Sequence, residues 1–416
     1  MAYEILDIAQ APSGRKKIDW VEKHMPIVAK IEQELKATRP FDNIRFSVSV
    51  HMEAKTARLL KAIKAGGGII SATGCNPLST QDDVAAAVAE EGISVFAWHN
   101  ESPEEYKRHL TQALGHGPSI VIDDGGDLAS LLHTELEDLS SGVFGGCEET
   151  TTGVNRLRIL EREKRLKYPV VAVNNAECKF LFDNRYGMGQ SVWDGINRTT
   201  NLIVAGKTVV ITGYGWCGKG VAMRAKGLGA KIIVCEINPV RAVEAWMDGF
   251  DVMPMDDAAE RGDFFITVTG CNGVISKRHF TRMKDGAILC NAGHFDVEID
   301  IKSLREIAVD IEEKRVNIKG YKLSNGKWVY VLAEGRLVNL ASGDGHPAEI
   351  MDMSFALQLL SAKYILENYK DLGNKVISLP KELDELVARY KLETLGVRID
   401  ALTGEQANYV NSWNLG

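Results

Sequence analysis

Cysteine is scarce in this chain, and its spacing excludes two classes of small scaffold. The 416 residues include seven cysteines, and no two of them have C-x-x-C spacing: Cys75, Cys147, Cys178, Cys217, Cys235, Cys271 and Cys290. An odd, scattered set indicates neither a disulfide framework nor a zinc site. We therefore predict no bound metal and a reducing, cytoplasmic location.

The chain also lacks long apolar runs and long basic runs. No apolar stretch approaches the roughly 18 residues of a transmembrane helix, and the N-terminal MAYEILDIAQ has no apolar signal region. The formal net charge is −7, and no Lys/Arg-rich segment offers a face for phosphates. We expect neither a membrane nor a nucleic acid as a partner.

A glycine-rich turn is the clearest single motif that the chain does contain. Residues 208–211 form a β-branched run typical of a buried parallel strand, and Gly213, Gly215 and Gly218 follow as G-x-G-x-x-G before a helical pattern. Such a turn places backbone N–H groups and a helix N-terminus against a pyrophosphate. We interpret residues 207–236 as a dinucleotide-binding unit.

The end of the next strand indicates which dinucleotide binds. The apolar run 232–235 ends in Glu236, whose carboxylate can accept both hydroxyls of the adenosine ribose and would repel a 2′-phosphate. Arg241, close behind, weakens the case against NADP. We predict NAD as the cofactor.

Strands and helices alternate in the first half of the chain, after an amphipathic helix predicted over residues 17–36. The predicted strands are residues 44–50, 68–73, 93–98, 119–123 and 168–173. This alternation predicts a parallel sheet with helices on both faces.

Polar residues follow the carboxyl ends of four of these strands: His51, Asn76, Asp124 and Asn174. This edge is where open α/β sheets bind ligands. Loop residues are often polar without any role, but four at one edge favour a site.

Two polar clusters near the middle of the chain are candidate ligand groups. Thr150, Thr151 and Thr152 are poor residues for a helix interior but suit a cap or a ligand. Lys179 and Asp183 have the i, i+4 spacing of an ordinary surface ion pair. The apolar residues between them favour a buried setting, in which Lys179 would lose its proton more easily.

A second α/β unit follows, with strands predicted over 264–270 and 287–295, and a candidate hinge at 343–345 leads into a helix over 348–368. The predicted fold class is α/β, with two doubly wound (Rossmann-like) parallel-sheet domains, the NAD domain being inserted in the substrate domain. The predicted boundaries are 1–185 and 347–395 for the substrate-binding domain, 190–344 for the NAD-binding domain and 396–416 for a C-terminal segment, which the family resemblance given below implies is an oligomerisation segment.

Nine motifs along nearly the whole chain resemble those of the S-adenosylhomocysteine hydrolase family. They are HMEAKTA (51–57), NPLSTQDDVAAA (76–87), DDGGDL (123–128), EETTTG (148–153), KFLFDNRYG (179–187), GYGWCGKG (213–220), NAGHFDVEI (291–299), AEGRLVNL (333–340) and GHP (345–347). EETTTG, GHFDVEI and EGRLVNL are long enough to be highly specific.

The resemblance implies reversible hydrolysis of the thioether of an S-nucleosyl-L-homocysteine through a 3′-keto intermediate, with tightly held NAD reduced and reoxidised within one turnover. The catalytic residues that it implies are His51, Asp124, Glu149, Lys179, Asp183 and His294. Lys179 would be the base in the oxidation and Asp124 the base at C4′, while the two histidines would serve the leaving group and water.

The resemblance also implies the binding contacts and the assembly. The residues that would hold NAD are Thr150, Thr151, Thr152, Asn184, Gly213, Gly215, Gly218, Glu236, Asn291 and Asn339. Those at the nucleoside would be Glu53, Lys55, Thr56 and His346. The histidines that we interpret as structural are His99, His116, His133 and His279. Members of the family are expected to be homotetramers and to act in the methyl cycle.

One departure from the family pattern concerns the nucleobase. The family motif reads His-Met-Thr-x-Glu/Gln-Thr, whereas residues 51–56 read HMEAKT, so an acceptor for the adenine 6-amino group has become Lys55, which only donates. Lys55 suits the carbonyl of hypoxanthine, and Glu53 could accept its N1–H. We predict a preference for S-inosyl-L-homocysteine, as in archaeal-type members. In the alternative, Lys55 points to solvent and the enzyme is adenosyl-specific.

Two alternatives of another class stay open. A 2-hydroxyacid dehydrogenase shares the plan of a dinucleotide unit inserted in a second α/β domain, but it releases NADH in each turnover. A catalytically inactive NAD-binding regulator is the other, and the full set of implied catalytic residues argues against it.

Overall fold

The structure is a computed structural model that describes residues 2–413; Met1 and residues 414–416, the last three of the predicted segment 396–416, lie outside the described residues. Its strands are β1 (Glu4–Ile5), β2 (Arg45–Ser49), β3 (Ile69–Thr73), β4 (Ser94–Ala97), β5 (Ile120–Asp123), β6 (Gly145–Glu148), β7 (Val170–Ala172), β8 (Thr208–Thr212), β9 (Lys231–Cys235), β10 (Asp251–Val252), β11 (Phe264–Thr267), β12 (Ala287–Asn291), β13 (Ala308–Arg315), β14 (Ile318–Leu323), β15 (Trp328–Leu332) and β16 (Val376–Ile377).

These strands form two eight-stranded sheets. The first has the order β1-β4-β3-β2-β5-β6-β7-β16, and all of its pairs are parallel. The second has the order β10-β9-β8-β11-β12-β15-β14-β13, and its pairs are parallel except for the antiparallel pairs β13–β14 and β14–β15. The predicted α/β fold with two doubly wound parallel-sheet units is confirmed.

Helices connect the strands and cover the sheets. They are α1 (Ala11–Glu22), α2 (Pro26–Thr38), α3 (Ala54–Ala65), α4 (Asp82–Glu90), α5 (Pro103–Leu114), α6 (Asp127–Leu132), α7 (Thr151–Arg162), α8 (Glu177–Lys179), α9 (Met188–Thr200), α10 (Trp216–Gly227), α11 (Pro239–Met247), α12 (Met255–Ala258), α13 (Lys277–Phe280), α14 (Ile301–Ile307), α15 (Val338–Ala341), α16 (Ala348–Leu372), α17 (Lys381–Thr394) and α18 (Gly404–Asn411). Within residues 2–413, none of them is long and apolar enough to cross a membrane.

The helix predicted over residues 17–36 is wrong. It is two helices, α1 and α2, because Pro26 has no N–H for the preceding turn and occupies the first position of a new helix. The strands predicted over 264–270 and 287–295 are also too long. They end at Thr267 and Asn291, and the residues beyond them form loops.

The antiparallel hairpin of β13 and β14 is not visible in the apolar pattern of the sequence. Strand β13 lies at the open edge of the second sheet, and nearly all of its side chains are exposed. An edge strand of this kind carries no buried face, so it lacks the alternation that indicates a strand.

Helix α16 brings the chain back from the second sheet to the first and is buried over residues 351–362. Its Asp352 accepts the N–H groups of Ile27, at 3.0 Å, and Val28, at 2.8 Å, at the start of α2. These donors have no partner within their own helix, so the carboxylate satisfies groups that would otherwise be buried unpaired. Helix α16 is thereby fixed in the core of the first unit.

Candidate active site

One cavity of about 1610 Å³ is lined by residues that follow strands of both sheets. His51 and Asp124 follow β2 and β5, and Gly213 and Thr269 lie at the ends of β8 and β11. The strand order reverses between β2 and β5 in one sheet and between β8 and β11 in the other. Reversal points of this kind are where open α/β sheets bind ligands.

The structure brings three of the four predicted edge residues, His51, Asp124 and Asn174, to this cavity. The side chain of the fourth, Asn76, instead accepts the N–H of Leu78 within its own turn, at 3.0 Å.

Lys179 lies at the centre of a buried polar network. Its Nζ donates to Asp183 Oδ1 at 3.1 Å and to Asn184 Oδ1 at 2.9 Å, and it lies 3.4 Å from Glu149 Oε1. The Asn184 amide donates in turn to Asn174 Oδ1 at 3.1 Å. A π-helix over Phe180–Gly187 follows α8 and carries Asp183 and Asn184.

The expectation that Lys179 loses its proton easily is wrong for this arrangement. Burial alone would lower the pKa of Lys179, but the carboxylates of Asp183 and Glu149 outweigh it and raise that pKa well above its usual range. Burial raises the pKa of Glu149 to about 8, against the opposing effect of the Lys179 ammonium. Near neutral pH, Glu149 is therefore the member of the network that can gain or lose a proton.

Two residues of α16 that sequence reasoning missed bond to these carboxylates. Ser354 Oγ donates to Asp183 Oδ2 at 2.7 Å, and Gln358 Nε2 donates to Glu149 Oε2. Both are fully buried. The sequence did contain a signal for these two residues. They have i, i+4 spacing with apolar residues between them, and that spacing puts both side chains on one face of the helix.

His51, Asp124 and His294 form a second group. His51 Nε2 lies 3.5 Å from Asp124 Oδ2, and His294 Nδ1 lies 3.9 Å from Asp124 Oδ1. Burial lowers the pKa of His51 to about 4, although the Asp124 carboxylate opposes this. His51 is therefore neutral near pH 7 and can accept or pass on a proton.

Cys75 joins this group and makes it a candidate metal cluster. The donor atoms of His51, Cys75 and Asp124 all lie within 4.8 Å of one another. Burial and the Asp124 carboxylate raise the pKa of Cys75, however, and its thiol donates to Asp124 at 3.4 Å. A protonated thiol is a poor metal ligand, so the absence of a metal stays our prediction.

The threonine triplet starts α7, as expected for a capping sequence. Thr150 Oγ1 accepts the N–H of Gly153 at 3.0 Å, and Thr151 Oγ1 accepts from Asn174 at 3.0 Å. Thr152 lines the cavity, with its Oγ1 3.8 Å from the position that a Cβ on Gly270 would take. Thr152 thus faces the second sheet.

Two buried acids that sequence reasoning also missed hold loops of the cavity. Glu148 Oε1 accepts the N–H groups of Gly125, at 2.9 Å, and Thr150, at 3.0 Å. Glu298 accepts the N–H groups of Thr269, at 2.9 Å, and Gly270, at 2.7 Å. Each carboxylate fixes a backbone that lines the site.

The glycine turn fits a dinucleotide. Helix α10 begins at Trp216 and has no side-chain cap, so its first N–H groups remain for a phosphate. A Cβ on Gly218 would lie 2.0 Å from Gly213 O, whereas at Gly215 the nearest atom would be Arg241 Nη1 at 3.9 Å. Gly218 therefore serves packing, and Gly215 leaves open space over the turn.

Glu236 ends β9 beside this turn. Its carboxylate accepts the N–H groups of Tyr214, at 2.7 Å, Ile237, at 2.7 Å, and Asn238, at 3.0 Å. Burial would raise the pKa of Glu236, but these donors lower it, so the carboxylate is charged at neutral pH. That charge suits ribose hydroxyls and disfavours a 2′-phosphate.

Asn339 and Asn291 differ in how they could meet NAD. Asn339 lines the cavity, and its Oδ1 is buried with no hydrogen-bond partner within residues 2–413. Such an orphaned acceptor fits an amide-bearing ligand, as nicotinamide is. The amide of Asn291 is instead used within its own loop, by Gly293 and Phe295.

The base-reading candidates form a buried ion pair. Lys55 Nζ pairs with Glu53 and donates to Asp344 O at 2.8 Å, in the predicted hinge. Lys55 is 5% exposed, so its side chain does not point to solvent. It is not among the described residues that line the cavity, and the alternative of an adenosyl-specific enzyme in which Lys55 does not read the base stays open. Glu53 lines the cavity together with Thr56 and His346, and His346 Nδ1 lies 3.2 Å from Asp183 Oδ1.

The four histidines interpreted as structural do not line the cavity among the described residues. His133, for example, is satisfied by Ala129 O, at 2.6 Å, and by the N–H of Lys167, at 3.1 Å. His279 completes a capping box with Ser276 at the start of α13.

Family models match most of the chain. The model described as "S-adenosyl-L-homocysteine hydrolase" matches residues 2–143, and the model of its NAD binding domain matches residues 184–345. The latter match identifies the dinucleotide as NAD.

Curated relatives match over the full length. An adenosylhomocysteinase of Pyrococcus abyssi is 56% identical over 414 residues, which cover 100% of this chain and 98% of the relative. An S-inosyl-L-homocysteine hydrolase of Methanocaldococcus jannaschii is 55% identical over 414 residues, covering 100% of both. Another, of Methanococcus maripaludis, is 53% identical over 412 residues, covering 99% of both.

Substitution of Gly215 and substitution of Gly218 should have different effects. Gly215→Ala should leave the stability of cofactor-free protein unchanged but weaken NAD binding about tenfold or more, because its Cβ enters the space that the pyrophosphate approaches. Gly218→Ala should lower the melting temperature, because its Cβ would meet Gly213 O at 2.0 Å. Thermal unfolding and calorimetric titration with NAD measure both. Equal NAD affinity of Gly215→Ala and wild type would contradict this assignment.

Proposed function

The chain belongs to the S-adenosyl-L-homocysteine hydrolase family, and from that premise we propose that it hydrolyses the thioether of an S-nucleosyl-L-homocysteine to L-homocysteine and the nucleoside. The observation that carries the proposal is the cavity itself. It combines the dinucleotide turn, the Lys179 network and the group formed by His51, Asp124 and His294. A thioether does not yield easily to direct displacement, and this set of groups suits an oxidation that activates the substrate first.

When bound, NAD would accept a hydride from the ribose C3′ and return it at the end of the turnover. While C3′ is oxidised, the hydrogen on C4′ is acidic. Glu149 and Asp183 bind the ribose hydroxyls, and Lys179 takes the 3′-hydroxyl proton. Because the resting Lys179 is charged, it acts as a base only after it has lost its own proton, a loss that its carboxylate neighbours oppose.

Asp124 takes the C4′ proton. Its Oδ1 is buried without a hydrogen-bond partner in the described part of the chain. His51 and His294 flank Asp124, so they are placed near the departing sulfur and the water at C5′.

The Glu53–Lys55 pair supports a preference for the inosyl substrate. Hypoxanthine presents a carbonyl at C6 and an N1–H, which complement a lysine donor and a carboxylate acceptor respectively. Burial raises the pKa of Glu53, and the Lys55 ammonium counteracts this and favours the charged acceptor. The curated relatives carry both names at nearly equal identity, so the pocket rather than overall similarity has to decide.

The 2-hydroxyacid dehydrogenase is not favoured, because the full-length relatives are hydrolases by name. Protein that holds NAD and forms thiol without accumulating NADH would exclude it. An inactive regulator would fail the same thiol assay.

Lys179→Ala should abolish the reduction of bound NAD by nucleoside. Lys179→Arg is the matched variant, because it keeps the charge beside Glu149 and Asp183 but cannot act as a base. Both should slow the NADH absorbance change by at least about a hundredfold, the usual scale of general-base catalysis. Near-wild-type NAD reduction by either variant would remove the assigned role.

The base preference is tested by comparing kcat/KM for S-inosyl- and S-adenosyl-L-homocysteine in a thiol-release assay. We expect the inosyl compound to be favoured by about tenfold or more, and Lys55→Gln to shift the ratio toward the adenosyl compound. Lys64→Gln, an exposed position on the same helix α3, is the control and should leave the ratio unchanged. An adenosyl preference of about tenfold or more in the wild type would end the proposal.

The finer organisation is also part of the proposal: domain boundaries at residues 185–190 and 344–347, and a homotetramer. The strands of the second sheet all fall between residues 208 and 332, which supports the boundaries. Two groups of exposed apolar side chains support the assembly. One lies on α11 and just before it, and the other lies near the C-terminus: Ile237, Val240, Val243, Trp246, Met247, Leu395, Val397, Ile399, Leu402, Tyr409, Val410 and Trp413.

Sedimentation velocity should give a single species with the mass of four chains. Trp246→Glu should shift it toward smaller species, because a charge would be buried at the interface. A monomer for the wild type would contradict the assembly.

A further inference from the structure

The cavity must hold an amino acid as well as a nucleoside, and few of its basic side chains are available for a carboxylate. Among the described residues, the Lys and Arg side chains that line it are Arg156, Lys179, Arg241 and Arg278. Lys179 is committed to its own buried acceptors. Arg241 lies over the glycine turn and Arg278 lies 3.6 Å from Asp256 in the second unit, so both belong to the dinucleotide side. Arg156 remains.

Arg156 is held in place on α7. Its Nη1 donates to Gly125 O at 3.0 Å and to Asp127 Oδ1 at 2.9 Å. Its Cζ lies 4.4 Å from the centroid of the Phe295 ring, which belongs to the loop after β12. The guanidinium is therefore fixed between a loop of the first unit and a loop of the second.

The other edge of this guanidinium has no protein acceptor. Both of its hydrogen bonds come from Nη1, and neither Nε nor Nη2 has an acceptor in the described chain. The side chain lines the cavity and is 45% exposed. The Nε–Nη2 edge of arginine is the one that binds a carboxylate through two parallel hydrogen bonds.

Gly125 links Arg156 to the groups at the scissile bond. Its backbone packs against His294, whose Nε2 lies 2.2 Å from the position that a Cβ on Gly125 would take, while its carbonyl accepts from Arg156. Gly125 therefore contacts both the guanidinium and His294, one of the groups assigned to the departing sulfur. In homocysteine, two methylenes and the α-carbon separate the sulfur from the carboxylate.

We propose that Arg156 binds the α-carboxylate of the homocysteine half of the substrate, an assignment that rests on the proposed function. Arg156 is then a specificity residue for the thiol partner and acts apart from the nucleoside and the cofactor. It selects thiols that carry a carboxylate on the α-carbon.

The test runs the reaction in the synthetic direction, with nucleoside and two thiols: homocysteine and 3-aminopropanethiol, which lacks only the carboxylate. In the wild-type holoenzyme, homocysteine should have the higher kcat/KM. Arg156→Met should reduce kcat/KM for homocysteine by about ten- to a hundredfold, mostly through KM, and leave 3-aminopropanethiol unchanged. Arg156→Lys should retain part of the preference, because it keeps the charge but not the fork.

Arg158→Met is the matched control, since Arg158 is an exposed arginine of the same helix that does not line the cavity. It should behave as wild type with both thiols. Reduction of bound NAD by nucleoside alone, which needs no thiol, reports on the other sites and should persist in Arg156→Met. Equal losses with both thiols, or loss of that reduction, would overturn the proposal in favour of a role in holding the Phe295 loop. No product from any nucleoside with homocysteine in the wild type would instead overturn the proposed function.

Discussion

Burial of the Lys179 ammonium is the constraint on which the rest of the site depends. An isolated charge in a protein interior is unstable, so it must be surrounded by acceptors that are themselves held in place. Here Glu149, Asp183 and Asn184 provide them, and Ser354 and Gln358 bond to the two carboxylates from the opposite side. The π-helix after α8 lets Asp183 and Asn184 face the same ammonium.

The same network reaches the hinge and the base pocket. His346, next to the predicted hinge, lies 3.2 Å from Asp183, and Lys55 donates to the hinge carbonyl of Asp344. A change in the angle between the two units would therefore alter contacts of Asp183 and Lys55 together. Residues 344–346 therefore contact both Lys55 and Asp183.

Much of the fold could be predicted because its signals are local. The glycine turn, the β-branched runs and the polar residues after strand ends all depend on neighbours in sequence, and they indicated the alternating strands and helices of both units. The errors arose where local pattern is weak. The apolar periodicity is continuous across Pro26, where one helix ends and another begins. The exposed strand β13 has no apolar face by which it could be recognised in the sequence.

In the candidate site, too, some features could be predicted from the sequence and others could not. Residue types and motif order alone identified the family, the cofactor and the central residues of both polar clusters, but not Ser354, Gln358 or Cys75. The charge state of Lys179 depended on tertiary structure, because Glu149 and the residues that support the two carboxylates come from distant segments, although Asp183 is only four residues from Lys179. Asp183 and Ser354 are 171 residues apart, and Glu149 and Gln358 are 209 apart. A sequence specifies which groups can ionise, whereas burial and the distances to other charges decide which of them do.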